Sequence, residues 1–454
     1  MSVKEYKYLK FVRFKNLSQW NIEYYLNSSN MYSKYSLIFL NKLISPKKCL
    51  IKKEDYDGIL PIVEKIVFKT GEIILRKEYK TGMNLYALKY NDLLVSNINF
   101  HQGATALNLL GDIVASTHYQ PYSINEKIVN PAYLLMVLRS KYFLTLVSGK
   151  KAQGIKNESG YNFIGSFSIP VPSLKEQEKM VEKYNQKMEQ SDKLAKEASN
   201  TEEKLEKYIL KELGISGNKP FNEYSENATD FLFLKFVRYK NIDKWSYDAI
   251  VDNNQKILKS DYFENRSLKT LLYINPNTSF SDLDDNDEIS FVPMESVSDK
   301  YGELKEYKTC KKSSSKGYTK FKNGDLIWAK ITPCMQNGKS TVVRSLSNGY
   351  GCGSTEFYVL RNENENLNID YVHLLLRLPI VLKDAMKHFT GSAGQQRVPK
   401  TYLENLSIPY PPLSVQNNIV RNAKKQMEEI KQMRTESEKL KQEALVNFEK
   451  QIFE

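Results

Sequence analysis

This 454-residue chain has little sulfur, little imidazole and no long apolar run. Its four cysteines (Cys49, Cys310, Cys334, Cys352) show no Cys-x-x-Cys spacing, so free thiols are expected and a zinc site is not. The histidines at 101, 118, 373 and 388 lack metal-ligand spacing, and no metal site is expected. The chain opens MSVKEYKYLK, unlike a signal peptide. Its most apolar stretch, Tyr133–Val147, is broken by Arg139 and Lys141 too soon to span a bilayer. A cytoplasmic protein without a membrane partner is expected. There is no phosphate-binding G-x-x-x-x-G-K-[ST] loop, which argues against a DNA-translocating motor. Asn130-Pro131-Ala132-Tyr133 has the look of an amino-methyltransferase loop, but no glycine-rich cofactor loop precedes it, and its repeat counterpart reads Asn368-Ile369-Asp370-Tyr371. Glu303-Leu304-Lys305 offers a nuclease-like Glu-x-Lys without an upstream acidic partner. The chain reads as non-catalytic.

Proline and glycine are also missing where it matters. After Pro172 no proline occurs until Pro220, and after Pro412 none occurs at all; glycine is absent between Gly165 and Gly214 and after Gly394. Both stretches are rich in Lys, Glu and Gln, which favour helix. Ser173-Leu174-Lys175-Glu176 is a capping-box pattern, and Gly214 stands where a helix-terminating glycine belongs. The pattern predicts helices over 173–213 and 413–452, each about 60 Å long. Leu174, Val181, Tyr184, Met188, Ala195, Ala198, Leu205 and Ile209 form a narrow stripe on the first, interrupted by Glu202. Leu413, Val420, Ala423, Met427, Ile430, Met433, Leu440, Ala444 and Phe448 do so on the second. Stripes of that width suit a two-stranded coiled coil, so the helices are expected to pair with each other.

What is present is present twice. LKFVRFKNLSQW (9–20) returns as LKFVRYKNIDKW (234–245), and SIPVPSLKEQEKMV (168–181) as SIPYPPLSVQNNIV (407–420). Asp92-Leu93 faces Asp325-Leu326, Ser116-Thr117 faces Ser354-Thr355, and Tyr133 faces Tyr371. A period near 230 residues is a duplicated domain rather than a solenoid. Hydrophobic residues make up 41% and aromatics 12%, as in a globular chain, and the formal net charge is +13. Segment 173–213 holds nine lysines against ten acids, and 413–454 holds eight basic residues against seven acids. The helices sum to neutrality, so the positive charge belongs to the two heads. Basic modules on a neutral rod point to a polyanion.

The junctions SIPVPSLKEQEKMV and TGSAGQQRVPKTYLENLSIPYPPLSVQ resemble those of type I restriction-modification specificity subunits, and the resemblance covers essentially the whole chain. It implies a mixed α/β fold class: two pseudo-symmetric target-recognition domains, 1–172 and 233–412, joined by long helices over 173–214 and 413–454 forming an antiparallel coiled coil, with a linker at 215–232. It further implies that each domain reads one half of a bipartite asymmetric site on double-stranded DNA and that helix length sets the spacer. The helices would dock two methyltransferase subunits, which carry S-adenosylmethionine, while this chain binds no cofactor directly; restriction (translocase) subunits would complete the assembly where present. The alternatives are a methylation-only or fused-type system, or a coiled-coil adaptor with basic nucleic-acid-binding heads.

Candidate DNA-binding residues follow from loop position and side-chain chemistry. After the two Asp-Leu strands come Asn97, Asn99, His101 and Gln102 in one copy, and Lys330, Thr332, Gln336, Asn337 and Lys339 in the other. The loop 391–397 carries Ser392, Gln395, Gln396 and Arg397, residue types able to make bidentate contacts to adenine or guanine. Its counterpart at 148–156 carries Lys150, Lys151, Gln153 and Lys156, better suited to phosphates. Arg13, Lys15, Arg238 and Lys240 repeat in register, suggesting a shared structural or phosphate role; Trp20 and Trp245 read as core anchors.

Overall fold

The computed structural model describes residues 33–68, 70–150, 160–215, 257–392 and 395–453. The expectations for Arg13, Lys15, Trp20, Arg238, Lys240, Trp245 and most of the linker lie outside the described residues. Two units divide the chain, one from residues 1–195 and 435–454, the other from 196–434.

Short β-prone runs bounded by turns build the first unit. In order these are β1 (Leu37–Phe39), β2 (Ile44–Pro46), β3 (Leu50–Ile51), β4 (Val63–Ile66), β5 (Ile73–Leu75), β6 (Leu85–Leu88), β7 (Leu93–Ser96), β8 (Thr105–Leu107), β9 (Ile113–Ser116) and β10 (Tyr119–Ile124). Helices α1 (Pro131–Arg139), α2 (Lys141–Lys150) and α3 (Tyr161–Gly165) follow, then β11 (Ser168–Pro170), which leads into α4 (Leu174–Glu212). One sheet has the order β2-β10-β7-β8 and another β3-β6-β9; β4 pairs with β5, and β1 with β11. All four residues of β7 are buried because the strand is covered on both faces. Leu93 and Val95 pack with Tyr133, Leu134 and Val137 of α1, whereas Leu94 packs with Val63 and Ile113 on the opposite side.

The second unit repeats this plan. Its elements are β12 (Asn265–Ser267), α5 (Leu268–Leu271), β13 (Tyr273–Ile274), β14 (Glu288–Val292), β15 (Lys308–Lys311), β16 (Thr319–Lys322), β17 (Leu326–Ala329), β18 (Ser340–Val342), β19 (Tyr350–Gly353) and β20 (Phe357–Arg361). They are followed by α6 (Ile369–Leu376), α7 (Pro379–Lys387), α8 (Lys400–Asn405), β21 (Ser407–Pro409) and α9 (Leu413–Phe453). The sheet β13-β20-β17-β18 matches that around β7, and a second sheet runs β15-β14-β19-β16. In β17, Leu326 and Trp328 face the helices while Ile327 and Ala329 face the other core. Beside the parallel pair β14–β19, a Cβ at Gly353 would lie 2.2 Å from the Val292 carbonyl oxygen, so the close approach requires glycine there.

The long helices pair within each unit. In the first, Phe448, Ile452 and Phe453 of α9 join Met180 of α4 in the core around Tyr133. Lys187 meets Glu443 at 2.6 Å, and buried Ser191 and Ser437 each donate to the other's carbonyl, at 2.8 and 3.0 Å. In the second, Ala198, Leu205 and Ile209 share a core with Ala423 and Ile430, and Asn422 donates to the Tyr208 hydroxyl at 2.8 Å. Residue numbers rise on one helix as they fall on the other, so the pairing is antiparallel. Each unit therefore takes a part of both helices, which a sequential division of the chain does not provide. The stripe differs from expectation at its start: Leu174 is exposed, and Gln177 and Met180 are buried instead. Glu202, expected to interrupt the seam, turns outward to Arg434. No helix among the described residues is long and apolar enough to cross a membrane.

Candidate nucleic-acid interface

Each head is seated on its helix by the same three side chains. Asn130 caps α1, its side chain accepting from the amides of Ala132 and Tyr133 at 2.9 and 3.1 Å. The Asn130 amide donates to Gln177 Oε1 at 2.7 Å, and Gln177 Nε2 donates to the carbonyls of Ile128 and Pro172 at 3.1 and 2.8 Å. Tyr133 donates its hydroxyl to the Pro170 carbonyl at 2.8 Å. In the second unit Asn368 caps α6, Gln416 accepts from its amide at 2.8 Å and donates to Asn366 and Pro411 at 3.1 and 2.8 Å, and Tyr371 donates to Pro409 at 3.0 Å. Burial in the head pushes both tyrosine hydroxyls far above their ordinary titration range, so they act as neutral donors. The Asn-Pro-Ala-Tyr run is thus a cap and a seat.

The candidate loops leave the C-terminal ends of β7 and β17. An aspartate before each strand fixes the preceding turn, accepting from the Lys89 amide at 2.6 Å (Asp92) and the Lys322 amide at 2.8 Å (Asp325). A helix arginine fixes the following loop. Arg139 donates to the carbonyls of Gly103, Thr105 and Phe68 at 2.7, 3.1 and 2.7 Å. Arg377 donates to Gly338, and to Asp299 and Lys300 at 2.9 and 3.0 Å. Gly103 and Gly338 both adopt positive φ, 83° and 71°, which presents their carbonyls to these guanidiniums. Burial lowers the pKa of both arginines, that of Arg377 to about 10, still charged at neutral pH.

In the first unit the candidates occupy a short loop beside the 116–118 turn. Asn97 donates its side-chain amide to the Thr117 carbonyl at 3.1 Å, Asn99 precedes a one-turn helix holding His101 without a side-chain capping bond, and Gln102 is exposed. Lys151, Gln153 and Lys156 lie outside the described residues, as does the side chain of Lys150. The second unit brings its two candidate loops together. The Thr332 amide donates to the Gln396 carbonyl at 3.0 Å, Ile331 bridges Arg397, and the Val398 amide donates to Lys330 at 2.9 Å. Thr332 donates its hydroxyl to Gln336 at 2.6 Å, and Lys330 lies over the Tyr358 ring at 5.3 Å. Asn337, Ser392 and Gln395 are exposed. Lys339 turns inward and donates to the Met294 carbonyl at 3.0 Å, a contact that braces the loop.

Two features lay beyond the residue list drawn from sequence. Glu356 lies within reach of Arg397, in an ion pair of 2.8 Å. The first unit also has an open cleft of about 670 Å³ lined by Lys53, Tyr56, Asp57, Gly58, Glu78, Tyr79, Lys80 and Thr81. Register places it on the same sheet end as the Asn97 loop: Ile51 pairs with Leu85, Leu85 with Ser116, and the His118 carbonyl accepts from the Asn97 amide. Its lysines and tyrosines are of types that meet phosphates and base faces, while Asp57 and Glu78 balance the lysine charge, so the cleft as a whole is not basic. A cavity of about 440 Å³ in the second unit is different in kind. It lies against α9, where Asp370 bridges Arg344 and Lys424 at 2.8 and 2.7 Å, away from the loop ends.

Residues 260–442, which hold the Asn368–Gln416 seat, β17 and Arg397, match the family model of the type I restriction modification DNA specificity domain. This segment is similar to that domain. The chain is 40% identical over 226 residues to the type I restriction enzyme EcoAI specificity subunit of Escherichia coli, across 48% of this chain and 38% of that protein. It is 40% identical over 166 residues to the EcoEI specificity subunit of the same organism, across 36% and 27%. The matched stretches thus span well under half the length of these relatives. In fold, the chain resembles one in the solved structure described as the structural basis underlying complex assembly and conformational transition of the type I R-M system. The TM-score is 0.53 at 15% identity, covering 92% of this chain and 97% of that one. The first unit, outside that match, repeats the second unit's cap, seat, loop arginine and central sheet.

Proposed function

We propose that this chain is the DNA-sequence-specificity subunit of a type I restriction-modification system. The observation that carries this reading is the duplication of the specificity domain's recognition end: two heads, each with a braced polar loop at the end of its central strand, each seated on a long helix. Lysines at these ends hold phosphates, and loop side chains read base edges. Each head reads one half of a bipartite asymmetric site. The paired helices dock methyltransferase subunits, which bring S-adenosylmethionine and perform the transfer, and restriction subunits join that assembly. The chain itself is non-catalytic, acts in the cytoplasm, and contributes position rather than bond-making.

Methylation-sensitive sequencing of genomic DNA from cells with and without the gene tests this. Loss of a bipartite methylated motif on deletion is expected. An unchanged methylome in cells with an active partner methyltransferase would refute it. Salt-sensitive binding indifferent to DNA sequence would favour a basic adaptor instead.

A further inference from the structure

The second unit's recognition end contains one charged pair whose geometry is unusually complete. Glu356 lies in the turn between β19 and β20, and Arg397 follows the loop after α7. Arg397 Nε donates to Glu356 Oε2 at 2.9 Å, Nη2 to Oε1 at 2.8 Å, and Nη1 to the Gln395 carbonyl at 2.9 Å. The backbone beneath is fixed too, since Arg397 and Thr390 exchange both main-chain hydrogen bonds at 2.9 Å. A guanidinium carries five N–H donors. Among the described residues these contacts use three, leaving one N–H on each terminal nitrogen of a side chain that is 40% exposed. Hydrogen bonding from Arg397 lowers the Glu356 pKa, so the pair is ionised and neutral overall at physiological pH. An unpaired arginine on a long stem is drawn to phosphate; one held flat by a carboxylate keeps its donor geometry but loses that net attraction.

We propose that Glu356 is a positioning residue for base reading, holding Arg397 so that its two free N–H groups meet O6 and N7 of a guanine in the half-site read by this unit. The inference rests on the specificity-subunit reading and deepens it: Arg397 acts as a reader and not as a phosphate clamp.

The test uses the full chain as wild type, Glu356→Ala, Glu356→Gln and the double variant Arg397→Ala/Glu356→Ala. Each is selected against a random duplex library, then measured on the wild-type consensus and its single-base variants at several salt concentrations. The double variant is expected to lose about 5- to 150-fold of discrimination at one guanine, the range of a single bidentate contact. Preferences elsewhere and the salt slope should stay as they are, because a neutral pair has been removed. Those retained preferences also report correct folding. Glu356→Ala frees the arginine, so binding to all sequences should tighten at low salt, the slope should steepen by about one, and the same guanine preference should weaken. Glu356→Gln, keeping one acceptor, should fall between. A double variant that keeps every base preference, or that weakens all sequences alike while the slope flattens by about one, overturns the inference. A wild-type chain that selects no sequence overturns the specificity reading itself.

Discussion

Gln416 offers a sharp test of how the second head is held. Truncation to alanine removes three hydrogen bonds and strands the Asn368 amide and the carbonyls of Asn366 and Pro411. A buried polar group left without its partner costs about 1–3 kcal/mol. Two of these contacts are half-buried and one is buried, so about 3 kcal/mol is expected, or about 6–12 °C in the melting of a domain this size. Gln416→Glu separates the two halves of the interaction. It keeps the oxygen that accepts from Asn368 but aims a second oxygen at two carbonyls. Only the protonated acid can donate there, so its folded pKa must rise above the unfolded value of about 4.3. The folded state then binds more protons, and stability falls as pH rises through that value and beyond. Thermal melts followed from pH 4 to pH 8 should show the glutamate variant near wild type at the acidic end and well below it at the neutral end, with the alanine variant uniformly low. A cost below about 1 kcal/mol for alanine, or a glutamate variant with the pH profile of wild type, would refute the reasoning.

Four further outcomes follow from the geometry. Asp325→Ala leaves buried Arg361 with Thr278 as its remaining side-chain partner and should cost about 3–5 kcal/mol by chemical denaturation, whereas the Asp325→Leu/Arg361→Met pair should recover much of it. Arg377→Ala should raise hydrogen exchange across residues 338–341 while leaving the Asn368–Gln416 seat protected, because its donors go to the loop and not to the helix. Lys53→Ala with Lys80→Ala should weaken binding to all duplexes alike and flatten the salt dependence by up to about two, without changing the preferred sequence. Ser437→Leu places a large side chain where two serines meet across the helix pair and should destabilise the first unit by about 1–3 kcal/mol, read from its cooperative melt.

The long helices were legible because their signal is compositional. Runs without proline or glycine, opened by Ser173 and Glu176, leave few alternatives to helix, and the spans Leu174–Glu212 and Leu413–Phe453 fall close to the expected limits. Glu176 does contact Ser173, accepting from both its amide and its hydroxyl at 3.1 and 2.7 Å. The seam was less legible at its first turn. Hydropathy favours Leu174 over Gln177, yet Gln177 is the buried one, because a head's main chain needs a donor and an acceptor there and leucine has neither. The clue was in the repeat: Gln177 and Gln416 share the offset of the SIPxP motifs, as Tyr133 nearly does with Tyr371. Glu356 gave no comparable signal. Its partner lies 41 residues away, and that proximity is created only when β19, β20 and the 390–397 loop meet. The two candidate loops of the second unit were named from sequence, but their shared hydrogen bonds are a tertiary fact.

The seats have a consequence for how such a protein diversifies. Gln177 and Gln416 bond to amides and carbonyls of the main chain alone, and the tyrosines end on the carbonyls of Pro170 and Pro409. Those bonds of the glutamines and tyrosines do not depend on the identity of the side chains at the main-chain groups they meet. Equivalent positions beside the seats can therefore differ, as Ile128 and Asn366 or Ala132 and Asp370 do, while both heads keep these bonds. Change on the surface of a head is in this way uncoupled from how the head is mounted, and it needs no new joint.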